Sequence, residues 1–358
     1  MIEGHGGNVV ELAKELGCRP EDIVDMSSNI NPLGALPGLI EHLRGQMGRI
    51  TSLPEVDAQG AVRAVAALLG VDGQRVLAGN GTTQFIHTAC VVLQSRRVLI
   101  VGPTYADYTD SARLHGITPE FFLTSPGCDF AVDVEELGAR LAGVDTVFLC
   151  NPNNPTGRLI SHGELLDLCT RHPGVRFIID ESYLPFAGDD QSMCQCGLEN
   201  VIVLWSASKI FGIPGLRVGF LVAGPSVIKR FRGHMQPWCV NSLAQEAVRY
   251  IGDHPETVAA FIARTREHLD VESTLFRERL AGAPLVVYPS TTSYLLIRLP
   301  EGHTADSVCR ALSEKRFLIR NCANFHGLDE SYIRIALKDT TANTAVAGHL
   351  LAHVHSQP

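Results

Sequence analysis

The sequence predicts an α/β protein: a mostly parallel sheet covered by helices on both faces, followed by a smaller α+β region. Three observations predict it. Short, nearly continuous apolar runs recur at 97–101, 146–150, 176–179, 201–204 and 218–222. Helical spacing fills several of the gaps, at 83–94, 105–114 and 163–171. Strands without polar alternation are buried on both faces, which is how a helix-covered parallel sheet reads. Beyond residue 245 the texture changes to a long helical stretch and then short strands.

Taken in order, residues 9–16 carry a short helical pattern, and 26–38 is an extended loop rich in Ser, Asn, Pro and Gly. Residues 58–69 have helical spacing. After the alternating region, 245–280 reads as one long helix or two, with Pro255 as the break. Strand-like runs follow at 285–288, 294–298 and 333–337, with helices at 305–315 and 341–353. A chain of 358 residues suits about two domains. The expected division is an N-terminal arm at 1–40 that joins the small domain, a large domain at 41–240, and a small α+β domain at 241–358.

A net charge of −8 argues against a nucleic-acid partner, which needs a basic face. It leaves room for an anionic ligand, since a few placed arginines dominate locally. Cys194 and Cys196 are the only close pair of cysteines, and no second pair completes a zinc site, so no metal is expected. Scattered thiols fit a reducing cytoplasm. No signal-like leader and no apolar run of membrane-spanning length is present, so a soluble, cytoplasmic protein without a membrane partner is expected.

Four segments carry chemistry, each following a predicted strand or opening a helix. Trp205-Ser206-Ala207-Ser208-Lys209 places a lysine just past a strand, where a lowered pKa frees its amine to form an imine. Ser206, Ser208 and Arg217 around it suit a phosphate. Alone, Lys209 also fits a surface lysine beside a Ser-rich turn. Asp180 ends a very apolar strand, where a carboxylate is costly unless paired. A protonated pyridine nitrogen would pair with it; equally, Asp180 could cap the next helix. Asn151-Pro152-Asn153-Asn154-Pro155-Thr156-Gly157 is a rigid turn that can hold an amide against a ring hydroxyl, or is simply a turn. Gly79-Asn80-Gly81-Thr82-Thr83 opens a helix whose N-terminus attracts an anion. A dinucleotide fingerprint would need glycine at position 84, where Gln84 stands.

Together, and in this order, the segments resemble fold-type-I pyridoxal-phosphate enzymes of the aspartate-aminotransferase superfamily, over nearly the whole chain. The resemblance implies the type I transferase fold, with a mostly parallel seven-stranded sheet and a smaller α+β domain. It implies pyridoxal 5'-phosphate as cofactor, carried by Lys209 as a Schiff base, with Asp180 at the ring nitrogen. Tyr105 would stack on the ring. Tyr183 and Asn154 would meet the ring oxygen. Gly81, Thr82, Thr83, Ser206, Ser208 and Arg217 would hold the phosphate. Lys209, Asp180 and Tyr183 are then the catalytic set. Arg334, in Tyr332-Ile333-Arg334-Ile335-Ala336, matches the family arginine for the substrate carboxylate, and Asn154 is a further substrate-binding candidate.

Four further segments narrow the resemblance to threonine-phosphate decarboxylases and the related histidinol-phosphate aminotransferases. They are Gly4-His5-Gly6-Gly7-Asn8, the loop 27–34, the segment 236–245 with Pro237-Trp238-Cys239-Val240-Asn241, and 318–328. This implies loss of CO2 from O-phospho-L-threonine to give aminopropanol phosphate, a step of cobalamin side-chain synthesis. Transamination of the histidinol-phosphate type, and decarboxylation of a related amino acid such as phosphoserine, stay open. His5, Asn31 and Arg320 are the candidates for the substrate phosphate, since Arg and His donors suit a dianion. A homodimer with its site at the interface is expected from the family. Two positions depart from it. Leu53-Pro54-Glu55 stands where relatives carry Tyr-Pro-Asp, so that tyrosine's hydroxyl is absent, and Cys239 replaces a usual serine.

Overall fold

The structure, a computed structural model, describes residues 6–356, the side chain of Asp189 excepted. Its centre is a seven-stranded sheet: β1 (Val76–Gly79), β2 (Val98–Gly102), β3 (Glu120–Leu123), β4 (Thr146–Cys150), β5 (Arg176–Asp180), β6 (Val201–Trp205) and β7 (Gly219–Val222). The spatial order is β1-β7-β6-β5-β4-β2-β3. All neighbours pair in parallel except β7, which is antiparallel to both β1 and β6. Helices pack on the sheet because its inner strands are apolar on both faces; every residue of β2, β4, β6 and β7 is buried.

The edge strands β1 and β3 were not among the runs predicted from sequence. β1 ends in Ala78-Gly79, which lowers its strand signal, and β3 alternates as a partly exposed edge. β7 follows β6 through residues 206–218, which hold the short helix Ala207–Ile210 and turn the chain back to pair antiparallel. That connection carries Lys209 and Arg217. The long helical stretch is two helices, Ser242–Asp253 and Pro255–Leu280, divided at His254 where Pro255 begins the second.

A second, four-stranded antiparallel sheet lies near the C-terminus. Tyr294–Arg298 pairs with Tyr332–Ala336, which pairs on its other edge with Arg320–Asn321. Val286–Val287, at the outer edge, is shorter than the expected run. Val24–Asp25 pairs in parallel with Phe317–Leu318, so the N-terminal segment is stitched to this region. The backbone N–H of Ala336 also donates to the carbonyl of Met26 at 2.8 Å. That stitch delivers Ser27 and Asn29 to the carboxyl edge of the central sheet. Among the described residues, no helix is long and apolar enough to cross a membrane.

Candidate active site

The carboxyl ends of β1, β4, β5 and β6 and the start of β7 meet along one edge of the sheet. Over that edge lies a cavity of about 330 Å³. Tyr105, Asn154, Tyr183, Lys209, Arg320 and Arg334 line it. These six come from segments far apart in sequence, so the fold brings together what the motifs only suggested.

Lys209 sits on the short helix Ala207–Ile210, which begins directly after β6 with Ser206 as its N-cap. The Ser206 hydroxyl oxygen accepts from the N–H of Ser208 at 3.2 Å, and the Ser208 hydroxyl donates to the carbonyl of Val218 at 3.1 Å. Both serines are therefore fixed and buried. Burial, then the charges of Arg334 and Arg217, pull the Lys209 amine down to about 8. A neutral amine at near-neutral pH is the form that attacks a carbonyl.

Asp180 is the last residue of β5 and is 5% exposed. Burial raises its carboxyl above the usual range, opposed by donors from Ser182 and Tyr108 and by the charge of Lys209. The Ser182 N–H donates to one oxygen at 3.0 Å and the Tyr108 hydroxyl to the other at 2.9 Å. Tyr183 lies beside it, and burial pushes its phenol up to about 12. The Asn29 amide donates to the Tyr183 oxygen at 3.3 Å.

Gly79 of β1 and Gly219 of β7 face each other in register. A Cβ on Gly219 would lie 2.4 Å from the Thr82 nitrogen, and one on Gly81 would lie 2.7 Å from Nη2 of Arg217. At Gly219 glycine is required because backbone meets backbone, and at Gly81 because φ is +73°. The helix Gly81–Leu93 starts at this point with no side-chain cap. Its first N–H groups, including those of Thr82 and Thr83, have no intrahelical acceptor and are available to an anion.

Arg334 is buried; it donates one guanidinium nitrogen to the side-chain oxygen of Asn154 and another to the carbonyl of Ser27. Its Nε and the Asn29 side-chain oxygen are buried without a hydrogen-bond partner among the described residues. Arg320 faces Arg334 in register on the neighbouring strand. It donates to the Asn324 side-chain oxygen at 2.7 Å and lies 5.0 Å over the Phe325 ring.

These residues fit pyridoxal 5'-phosphate. A buried carboxyl would take the ring nitrogen, a depressed lysine the aldehyde, and a glycine cradle the phosphate. The partnerless Asn29 and Arg334 atoms mark places where polar ligand groups belong.

Not every sequence candidate falls here. Asn31 does not line the cavity. Its amide donates to the Ile210 carbonyl at 2.7 Å and to the Thr265 hydroxyl at 2.8 Å, and its oxygen accepts from the Leu33 N–H at 2.9 Å. The expectation that it meets the substrate phosphate is corrected accordingly: it fastens the loop 29–33 to the lysine segment. His5 lies outside the described residues. Leu53 is 75% exposed and away from this chain's cavity, while Glu55 holds Arg249 and the Gly60 N–H. Ser27, Asn29, Tyr108 and Asn324 were missed as site residues. The i, i+3 spacing of Tyr105 and Tyr108 hinted at the third; nothing in sequence separated Asn29 from Asn31. Among the described residues no cluster of His, Cys, Asp or Glu could hold a metal.

A family model described as aminotransferase class I and II matches residues 21–350. The threonine-phosphate decarboxylase of Salmonella typhimurium is 34% identical over 345 residues, 95% of this chain and 93% of that protein. A histidinol-phosphate aminotransferase of Methanocaldococcus jannaschii is 28% identical over 340 residues, 93% of this chain and 89% of the relative. The crystal structure of L-threonine-O-3-phosphate decarboxylase from Porphyromonas gingivalis superposes with a TM-score of 0.82 at 31% identity, covering 93% of this chain and 100% of that one.

Proposed function

Since the chain belongs to the aminotransferase class I and II family, we propose that it decarboxylates O-phospho-L-threonine, releasing CO2 and aminopropanol phosphate. Pyridoxal 5'-phosphate is its cofactor. Bound, that group supplies an electron-withdrawing ring that accepts the electron pair left when a bond at the substrate's α-carbon breaks.

The observation that carries the reading is the pairing of Arg320 with Arg334. They are cross-strand partners on adjacent antiparallel strands and both line the cavity. Like charges directly opposite each other repel. Neither has a carboxylate partner among the described residues. Burial and the charge of Arg334 hold the Arg320 guanidinium below its usual value. A substrate with two anionic groups relieves both cations at once. Phospho-threonine has a carboxylate and a phosphate ester, and it suits a cavity of about 330 Å³.

The chain's own residues then divide the work. Arg334 meets the carboxylate and Arg320 the phosphate, with the planar guanidinium matching either anion. Asp180 stays ionised against the ring nitrogen. Tyr105 would cover the ring, and Asn154 and Tyr183 would hold the ring oxygen. The Lys209 amine would return a proton to the α-carbon.

The resemblance to histidinol-phosphate aminotransferases supports a second reading, amine transfer. Incubating the holoenzyme with O-phospho-L-threonine separates the two. CO2 release without a 2-oxo acid supports decarboxylation; amine transfer that needs a 2-oxo acid, without CO2, overturns it.

The homodimer also belongs to this proposal. Met47, Ile50, Leu53 and Val56 are all exposed, and the Trp238 N–H donates to the Val56 carbonyl at 3.0 Å. A second copy would cover this apolar face. Light scattering of Leu53→Asp against the wild type tests it; an unchanged mass sinks it.

A further inference from the structure

We propose that Tyr108 is a positioning residue that aims the Asp180 carboxylate at the cofactor's ring nitrogen and keeps it ionised. The inference rests on the cofactor assignment and on Asp180 facing the ring nitrogen, not on which reaction follows.

Tyr108 is 1% exposed, so it does not face substrate. Its hydroxyl donates to Asp180 Oδ2 at 2.9 Å. Its ring stacks on Phe148 of β4, with centroids 5.4 Å apart and planes 16° apart. Tyr105, one helical turn earlier, meets it edge-on at 5.7 Å and 85°. One side chain thus touches both the acid beneath the ring site and the aromatic expected to cover it.

A buried carboxylate can rotate about its last bond unless both oxygens are held. Here the Ser182 N–H holds Oδ1 and the Tyr108 hydroxyl holds Oδ2. Without the second donor, burial favours the neutral acid. A neutral acid cannot pair with a pyridinium. Bonds to charged groups are worth more than neutral ones, so a single hydroxyl suffices to matter.

Tyr108→Phe removes only the donor and leaves the stacking ring, so a merely structural tyrosine predicts no change. The measurement is the dissociation constant of pyridoxal 5'-phosphate, by absorbance titration of the cofactor-free chain. It is repeated with the analogue in which a C–H replaces the ring nitrogen. Wild type should bind the natural cofactor more tightly than the analogue. Tyr108→Phe should weaken natural-cofactor binding about tenfold while leaving the analogue unchanged. Turnover should fall with the substrate KM unchanged. Equal weakening of both ligands, or of neither, would overturn the role given to Tyr108. Wild type binding both ligands equally would instead remove the Asp180 pairing beneath it.

Discussion

The guanidinium of Arg334 donates to the side-chain oxygen of Asn154, tying the C-terminal antiparallel sheet to the turn that leaves β4. The contact sets the Asn154 amide with its oxygen toward the arginine, which leaves its NH2 to donate to an acceptor oxygen in the cavity. A second guanidinium nitrogen donates to Ser27, and the Arg334 carbon lies 5.2 Å over the Tyr294 ring. Arg334 is therefore aimed before any ligand arrives, and binding need not order it.

Arg320 is held differently, by one asparagine and one ring, at the cavity wall. Arg320→Ala should raise the KM for O-phospho-L-threonine by about 10–100-fold, the worth of hydrogen bonds to a charged group. Its effect on unphosphorylated threonine should stay within about threefold. Steady-state kinetics on both substrates check this; equal losses would mean that Arg320 does not read the phosphate.

The depressed Lys209 amine predicts a pH dependence. Below about 8 the amine in the cofactor-free chain is protonated and cannot attack an aldehyde; above it the neutral form dominates. Cofactor loading, followed at the absorbance of the lysine adduct, should therefore speed up as pH rises through about 8 and then level off. The same depression means that the unfolded chain binds more protons between about 8 and the ordinary 10.5. Stability of the cofactor-free chain should thus rise with pH across that window. A loading rate that is flat through pH 8 would remove the claim.

Gly219→Ala sets a methyl group 2.4 Å from the Thr82 nitrogen, where neither backbone can yield cheaply. The expected cost is about 1–3 kcal/mol of stability, together with weakened cofactor binding through the displaced helix start. Gly215→Ala, where nothing lies within 4 Å, is the control and should be silent. Thermal melts with and without cofactor compare the two.

Asn31→Ala should behave as a stability variant. Its buried amide makes three hydrogen bonds, so truncation should cost about 1–3 kcal/mol and lower the melting temperature. Activity per folded molecule should stay within about threefold. A large rise in substrate KM at unchanged stability would return Asn31 to the substrate site.

Much of this protein is legible in one dimension. The five apolar runs identify the inner strands, because a strand buried on both faces tolerates almost no polar residue. The lysine loop, the acid at the end of β5 and the glycine cradle are local patterns: each depends on a few adjacent residues and the turn they must make. What sequence could not decide depends on contacts between distant segments. β7 inserts between β6, the strand just before it, and β1, more than a hundred residues earlier, and runs against both. Tyr108 reaches Asp180 across 72 positions, and Arg320 meets Arg334 only through strand register. Asn29 and Asn31 carry the same amide two residues apart, yet one meets Tyr183 and the other fastens Ile210. Hydrogen-bond geometry at that scale is set by how the N-terminal segment docks, and only the folded chain specifies it.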